Sequence, residues 1–304
     1  DLFTQFLFSL LIVVGSWLFF QLLSMLAGGL IYNLDASDLK YLLTKLDNPV
    51  YINYLKFVQT LSSIGMFVVS SLIIASLLSE KPFSYLALNK TPEAIMVLLV
   101  VVLMCISIPA NNYFGYINAQ LQLPEFLHGL QNYFENKEVE GTKIMNSFLD
   151  IGTFKGLLVN LFIIAVIPAF GEEFFFRGIL QNMLIRWTKS NHWGIILTGL
   201  AFALLHFQFL SLLPRVVQGI LLGYLFLLTK SLWYPIIAHF INNALADVFY
   251  HYYFQDKVND GMETIGTPDG YVWPAIIGMA GMVLIFYLIN RISSEKKDPI
   301  ILEE

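Results

Sequence analysis

Charged residues are scarce in this sequence. Only 13% of its 304 residues are Asp, Glu, Lys or Arg, whereas 57% are hydrophobic and the mean hydropathy is +0.68. A soluble domain usually has about 25% charged and about 45–50% apolar residues. The composition therefore excludes an ordinary soluble domain and predicts an integral membrane protein that contacts the lipid bilayer.

Cysteine and an excess of basic charge are also lacking. The single cysteine, Cys105, lies in an apolar run, which excludes an intrachain disulfide framework and any metal site with several cysteine ligands. We interpret it as a small residue facing lipid or the core. The net charge of -5 and the pI near 5.5 indicate no basic surface for nucleic acid. We expect no nucleic-acid partner.

Long apolar runs fill most of the chain instead. A helix needs about 20 largely apolar residues to cross a bilayer. Eight segments with polar flanks predict an all-α, polytopic membrane protein with about eight transmembrane helices around an intramembrane polar cavity. These segments are Phe3–Ile31, Phe57–Leu78, Ala94–Phe114, Leu157–Ile185, Trp193–Leu213, Val216–Thr229, Leu232–Tyr253 and Val272–Ile289.

The segments between the spans predict the orientation and the domain organisation. With eight spans both termini share a side, and Lys and Arg are denser in the short segments of that side, so we expect both termini to be cytoplasmic. The first run is too long for a cleaved signal peptide, and we interpret it as a mature span. The longest loop, about Gly115–Phe154, predicts an amphipathic helix along the outer membrane surface. We interpret residues 1–304 as one membrane domain with a core at 154–254.

Two adjacent carboxylates and an arginine interrupt one apolar run, in the stretch IPAFGEEFFFRGIL. An ionised side chain at bilayer depth costs about 2.5–3.5 kcal/mol on insertion scales, so these three must be paired, hydrated or functional. Residues four apart share a helix face, which predicts a supporting ion pair between Glu173 and Arg177. Glu172 points elsewhere and has no obvious partner on its own helix.

Two residues just before these acids are expected to loosen the helix. Pro168 and Gly171 should kink it or open its backbone towards a water-filled cavity. A carboxylate beside such a cavity is well placed to act as a base. We therefore interpret Glu172 as the candidate base of the protein.

Two further spans supply imidazoles at similar depth. Phe202 and His206 are four residues apart in LAFALLHFQFL, and His239 and Asn243 are four apart in PIIAHFINNALAD. A single histidine in a membrane helix is more often an interhelical hydrogen-bonding residue, and Phe202 is most simply a packing residue. Together, one unpaired acid, two imidazoles and a carboxamide exceed what packing requires.

This set of residues predicts hydrolysis by an activated water. A carboxylate beside an imidazole can deprotonate water, while a second imidazole and an Asn amide can donate hydrogen bonds to the resulting oxyanion. The same set is also suited to hold a divalent metal such as zinc. We favour the metal-free arrangement because Asn is an uncommon zinc ligand, and the metal stays open at this stage. The four residues are Glu172, His206, His239 and Asn243.

Three motifs in this order resemble the CPBP family of intramembrane proteases. They are EExxxR at Glu172–Arg177, FxxxH at Phe202–His206 and HxxxN at His239–Asn243. That family includes the endopeptidase that processes prenylated CAAX proteins and many bacterial relatives. The resemblance covers roughly Leu157 to Tyr253 and leaves the first three spans matched by hydropathy only.

The resemblance implies a role for each motif. Glu172 corresponds to the water-activating glutamate with His206 assisting, whereas His239 and Asn243 stabilise the oxyanion. The pair formed by the second glutamate and the arginine supports the site, as does Phe202. Because the family has been described both as metalloproteases and as glutamate-dependent proteases, the resemblance does not decide whether a metal is needed. It implies a peptide or membrane-protein substrate.

Two other classes of function remain open at this stage. An ion-coupled transporter also uses intramembrane acids and histidines, but such proteins more often have inverted repeats with paired broken helices, and the sequence has no such symmetry. A non-catalytic family member would instead be a membrane subunit or scaffold of a larger assembly. The sequence argues against the transporter more than against the scaffold.

Overall fold

The computed structural model describes residues 1–35, 37–150, 153–254 and 264–295. Over these ranges the protein is helical and contains no strand. Apart from short one-turn elements, the described chain forms nine helices, numbered here in chain order. They are α1 Leu2–Ile31, α2 Pro49–Leu78, α3 Ala94–Ala119, α4 His128–Leu149, α5 Phe154–Thr188, α6 Asn191–Leu204, α7 Leu212–Thr229, α8 Trp233–Phe249 and α9 Trp273–Glu295.

Six of these helices are long and apolar enough to cross a bilayer, namely α1, α2, α3, α5, α7 and α9. The predicted class, an all-α polytopic membrane protein, is confirmed. α6 has 14 residues and falls short of that length, whereas α8 has 17 residues, continues into the π-helical Tyr250–Phe254 and is not one of the six. The number of eight membrane crossings and the cytoplasmic side of the termini therefore stay predictions.

The boundaries of several helices differ from the predicted ones because local capping decides them. α2 begins at Pro49, well before the predicted Phe57, since the Asn48 side chain accepts a hydrogen bond from the backbone N–H of Val50 at 2.9 Å. α3 continues to Ala119, inside the region predicted as a loop. The surface helix predicted for that region is present as α4, and its position relative to the membrane stays a prediction.

The predicted fifth span, Trp193–Leu213, is wrong at its C-terminal end. α6 stops earlier, and a turn of residues 205–211 leads into α7, which begins before the predicted Val216. Phe207 in this turn has a φ of 52°, which an α-helix does not accommodate. His206 therefore lies just beyond the end of α6 and not on the face of a continuing helix.

α5 carries both motif carboxylates and is continuous over 35 residues. It contains two π-helical stretches, Leu161–Val166 and Phe174–Gln181, and Pro168 lies between them. Because proline has no N–H, the carbonyl of Ile164, four residues earlier, loses its α-helical donor. The loosening predicted around Pro168 takes the form of a widened helix, a feature that is frequent at functional sites.

Two apolar clusters hold the helices together. One joins α1, α2 and α5 to parts of α7 and α8, and the other joins α3, α7, α8 and α9. α6 packs closely along α7 where two glycines face each other. A Cβ added to Gly219 would lie only 2.8 Å from the Cα of Gly199. This packing places the end of α6 beside α5 and α8, where the motif residues meet. The buried members include Ile74, Phe174, Ile179 and Met183 in the first cluster and Leu103, Leu222, Leu225 and Ile289 in the second.

Candidate active site

A buried carboxylate oxygen lies between two imidazoles. Glu172 Oε2 is 4.0 Å from His206 Nε2 and 3.9 Å from His239 Nε2. Within the described part of the chain, this oxygen is buried and has no hydrogen-bond partner. The fold thus brings together three of the four side chains that the sequence singled out, and their catalytic roles stay predictions.

His239 is fixed from the interior of the protein. Its side chain is 3% exposed, and its Nδ1 lies 2.8 Å from Glu173 Oε1. The same oxygen accepts a hydrogen bond from Arg177 Nη1 at 2.7 Å, and Arg177 also donates to the carbonyl of Gly219 at 3.0 Å. The predicted ion pair is therefore present, and Glu173 additionally orients the imidazole of His239, a contact that the sequence did not reveal.

His206 is fixed by the end of its own helix. Its Nδ1 lies 2.8 Å from the carbonyl oxygen of Phe202, and its side chain is 25% exposed. A carbonyl only accepts hydrogen bonds, so Nδ1 of His206 carries the proton and Nε2 of the neutral ring is an acceptor. The carboxylate of Glu173 has the same effect on His239. In the neutral rings both Nε2 atoms are therefore lone-pair acceptors that face Glu172.

Three acceptors that face one another require a donor or a cation between them. Two acceptors that share one water at hydrogen-bond distance lie about 4 Å apart when the angle at the water is near 90°. The two distances from Glu172 Oε2, 4.0 and 3.9 Å, match that spacing. The arrangement is suited to hold and polarise a water.

The same donor set is chemically suited to zinc. The Nδ1–H of His206 donates to a carbonyl and that of His239 to a carboxylate, which leaves Nε2 free for a metal. This is the usual support of a metal-binding histidine. Ligands of a tetrahedral zinc lie about 3.4 Å apart, since each is about 2.0–2.1 Å from the metal. The separations here are wider, and among the described residues no group of His, Cys, Asp or Glu has metal-binding spacing. Binding a metal would therefore require the three side chains to move closer together.

Asn243, the fourth predicted residue, contacts the backbone of α5. Its Nδ2 donates to the carbonyl of Ile164 at 3.0 Å, and its Oδ1 accepts from Asn242 at 3.2 Å. This is the carbonyl whose helical donor Pro168 removes. The contact gives Asn243 a structural role in joining α8 to α5, and its role at an oxyanion stays a prediction.

Phe202 lies at the centre of the site and contacts both imidazoles. Its ring centroid is 4.9 Å from that of His206 and 5.8 Å from that of His239. The guanidinium of Arg177 lies over the same ring at 4.9 Å. The side chain is 2% exposed and packs against both imidazoles, in agreement with its interpretation as a packing residue.

The structure contains a second buried polar cluster that the sequence did not lead us to predict. Lys56 of α2 is 3% exposed and donates to the carbonyl of Phe148 and to the side chain of Asn160, both at 2.7 Å. Asp247 of α8 is equally buried. Asp247 lies four residues after Asn243, as Asn243 does after His239, so the three residues share one face of α8. This spacing is the sequence pattern from which Asp247 could have been identified.

Comparisons with known proteins agree with the motifs. The family model described as Type II CAAX prenyl endopeptidase Rce1-like matches residues 154–245, which confirms the resemblance to the CPBP family over that segment. The uncharacterized protein YpbD of Bacillus subtilis (strain 168) is 34% identical over 116 residues. This alignment covers 36% of the present chain and 57% of YpbD, so the chain spans little more than half of that relative. No solved structure matches the chain.

Proposed function

We propose that this chain, whose residues 154–245 are similar to the Rce1-like type II CAAX prenyl endopeptidases, is an intramembrane endopeptidase that cleaves a peptide bond with an activated water. One observation carries the proposal. The buried Oε2 of Glu172 lacks a partner in the described structure and is faced by Nε2 of two imidazoles at 3.9 and 4.0 Å. A carboxylate arranged in this way is positioned to take a proton from a water that it shares with an imidazole.

In the proposed reaction, Glu172 takes a proton from the water as the water oxygen attacks the peptide carbonyl carbon. His206, at 4.0 Å from Glu172, holds the water in line. The attack forms a C–O bond and a tetrahedral intermediate with a negative oxygen. Glu172 then gives its proton to the peptide nitrogen, the C–N bond breaks, and an amine and a carboxylic acid leave the site.

The developing negative oxygen needs hydrogen-bond donors. For this role the neutral ring of His239 must first take up a proton at Nε2, which turns this atom from an acceptor into a donor, because Nδ1 is already held by Glu173 at 2.8 Å. Asn243 has a second amide N–H beyond the one that it donates to Ile164, and we assign this N–H to the oxyanion. Glu173 and Arg177 do not contact the substrate in this scheme. They hold the imidazole of His239 in one orientation.

A divalent metal remains compatible with the donor set. Glu172, His206 and His239 are the residues that would hold it, and Asn243 would have to exchange its contact with Asn242 for the metal. When bound, such a metal would lower the pKa of its water and polarise the peptide carbonyl. The wide spacing of the three acceptors and the engaged amide of Asn243 support the metal-free scheme, which we adopt.

The substrate class follows from the resemblance and from the membrane location. We propose a peptide bond within a lipidated C-terminal peptide or a membrane-protein segment. The side chains of Glu172 and His239 are 13% and 3% exposed, whereas that of His206 is 25% exposed, so a substrate is expected to approach from the side of the 205–211 turn.

The test uses the full chain purified in detergent and reconstituted into lipid nanodiscs. Three fluorogenic reporters are compared: a prenylated peptide with a CAAX terminus, the same peptide without the lipid, and a transmembrane-helix reporter. Wild type and Glu172→Gln are assayed on each, with and without a zinc chelator. Cleavage by wild type, absence of cleavage by Glu172→Gln and resistance to chelation are the expected results.

Each other outcome has a defined meaning. Loss of activity on chelation, with stoichiometric zinc in the active protein, would overturn the metal-free scheme and retain the protease. Absence of cleavage of all three reporters by folded wild type, together with stable co-purification of another membrane protein, would overturn the protease in favour of a scaffold. Ion flux into vesicles that Glu172→Gln abolishes would support a transporter instead.

A further inference from the structure

The turn that carries His206 is held by two side chains from distant parts of the chain. Glu138 of α4 accepts a hydrogen bond from the backbone N–H of Leu210 at 2.7 Å and one from the hydroxyl of Ser211 at 3.3 Å. Glu138 is only 9% exposed, although most of α4 faces outwards. Its carboxylate is therefore committed to the turn of residues 205–211.

The second side chain comes from α3. Asn118 is 2% exposed, donates to the carbonyl of Phe209 at 2.8 Å and accepts from the backbone N–H of Leu213 at 2.7 Å. Glu138 and Asn118 together satisfy polar groups on four residues between 209 and 213. Arg215, in the first turn of α7, donates hydrogen bonds to the side chains of Gln208 and Ser211.

Helix α7 needs this support because its own N-terminus is uncapped. The first N–H groups of a helix have no intrahelical acceptor, and a side chain at the N-cap usually accepts from them. Ser211 occupies the N-cap position of α7 but makes no side-chain cap hydrogen bond. Asn118 supplies an acceptor from outside for the N–H of Leu213, the second residue of α7. The carboxylate of Glu138 binds Leu210 and Ser211 just before the helix, where the helix dipole also favours a negative charge.

We propose that Glu138 and Asn118 are positioning residues for His206. The chain of contacts runs from α3 and α4 to residues 209–213, through the backbone of the turn to His206, and from its Nε2 to Glu172 at 4.0 Å. The proposal rests on the proposed hydrolytic function. It adds that the geometry of the site depends on the docking of α4, a helix outside the segment that the family model matches.

Buried hydrogen bonds also hold the C-terminal end of α4, separately from those that Glu138 makes in the middle of the helix. The carbonyl of Phe148 accepts from Lys56 at 2.7 Å and from Asn160 at 2.8 Å. α4 is thus fixed at both points by buried polar groups, and removal of Glu138 alone leaves the second point intact. This makes it possible to disturb the turn without releasing the whole helix.

The experiment compares three variants of the full chain in nanodiscs: Glu138→Ala, Glu138→Gln and Glu140→Gln. Glu140 is the matched control, because it lies on the same helix, is exposed and forms an ion pair with Lys137 at 2.7 Å. Glutamine retains an oxygen that accepts from Leu210, whereas alanine does not. Displacing a reacting group by about 1 Å costs about 100-fold in rate, so we expect kcat of Glu138→Ala to fall by about that factor.

The pattern among the variants separates positioning from folding. Glu138→Gln should recover most of kcat, KM should stay within about twofold in all variants, and Glu140→Gln should match wild type. Asn118→Ala is expected to lower kcat in the same way, because it releases the other side of the turn. A kcat for Glu138→Ala that equals that of Glu140→Gln would overturn the proposal.

Hydrogen exchange provides a readout that does not need activity. In Glu138→Ala, and more weakly in Glu138→Gln, the amides of residues 205–213 should exchange faster, while those of residues 172–181 should be unchanged. Unchanged exchange in 205–213 would overturn the positioning role even if no reporter is cleaved. Failure of wild type to cleave any reporter, with the local change in exchange present, would instead overturn the proposed function and leave the support of the turn established. If Glu138→Ala fails to fold, the kcat of Glu138→Gln and the hydrogen exchange of its residues 205–213 test the proposal instead.

Discussion

The two imidazoles of the site are held in different ways. His239 is 3% exposed within α8, and its ring is fixed by Glu173, which is itself paired with a fully buried Arg177. His206 is 25% exposed on a turn, and its position depends on a backbone carbonyl and on contacts from α3 and α4. The support of His239 is a buried ion pair within one helix, whereas the support of His206 is a set of hydrogen bonds from α3 and α4 to a turn.

This difference also divides the chain. Both imidazoles lie within residues 154–245, the segment that the family model matches. The ion pair that holds His239 lies in the same segment, but Asn118 and Glu138 lie before it. The first half of the chain thus contributes to the geometry of the site through contacts that the motifs do not contain.

The largest expected effect comes from the carboxylate that both imidazoles face. Glu172→Gln keeps the volume of the side chain and removes the base, so hydrolysis should fall by about 10²–10⁴-fold. Reporter cleavage measures the loss, and the melting temperature should stay that of wild type. Activity within a few-fold of wild type in a folded Glu172→Gln protein would contradict the role of this residue.

Breaking the support of His239 should affect folding and activity together. Glu173→Gln leaves Arg177 without its carboxylate in a fully buried position, and removal of one partner of a buried ion pair typically destabilises by about 3–5 kcal/mol. Because Glu173 also orients His239, cleavage should fall in the fraction that folds. Thermal unfolding in detergent and reporter cleavage are measured on the same sample. Equal phenotypes for Glu172→Gln and Glu173→Gln would contradict the division between base and support.

The contact of α6 with α7 provides a smaller perturbation on the His206 side. In Gly219→Ala the new Cβ would lie 2.8 Å from the Cα of Gly199, a backbone atom that cannot rotate away. Overpacking of this kind costs about 1–3 kcal/mol. We expect a lower melting temperature and reduced cleavage, because the Gly219 carbonyl also accepts from Arg177. A melting temperature equal to that of wild type would show that the two helices separate freely.

The smallest effect serves as the matched glycine control. Gly141 lies within α4, and a Cβ there has no atom within 4 Å apart from its own helix and chain neighbours. Gly141→Ala should stabilise the helix by about 0.5–1 kcal/mol, since alanine loses less conformational entropy in a helix interior. Thermal unfolding should show a small increase, and cleavage should be unchanged. A decrease would indicate that another molecule packs on this face of α4.

Local spacing predicted the parts of the site that lie on one helix. The contact between Glu173 and Arg177 follows from residues four apart, and so does the separation of Glu172 from that pair. The contact between Glu173 and His239 joins helices that are distant in the chain, and no periodicity contains it. Sequence spacing therefore identified the ion pair of Glu173 with Arg177 but not the contact by which Glu173 orients His239.

The errors came from places where the backbone leaves the regular helix. An apolar run continues past Leu204, but the positive φ of Phe207 and the hydrogen bond from His206 to Phe202 end the helix there. Pro168 was expected to loosen α5, yet the consequence, a carbonyl at Ile164 that accepts from Asn243, required the tertiary structure. Asn118 and Glu138 had no detectable signal, because their partners are backbone groups far away in the sequence.

The shortness of α6 has a consequence for the lipid environment. Fourteen residues of α-helix extend about 21 Å, less than the hydrocarbon thickness of about 30 Å. A helix of this length that starts at one membrane face stops inside the hydrocarbon layer, so the depth of the His206 turn is set by the length of α6. For a helix placed in this way, we expect thin bilayers to bring headgroups and bulk water to the turn and thick bilayers to submerge it.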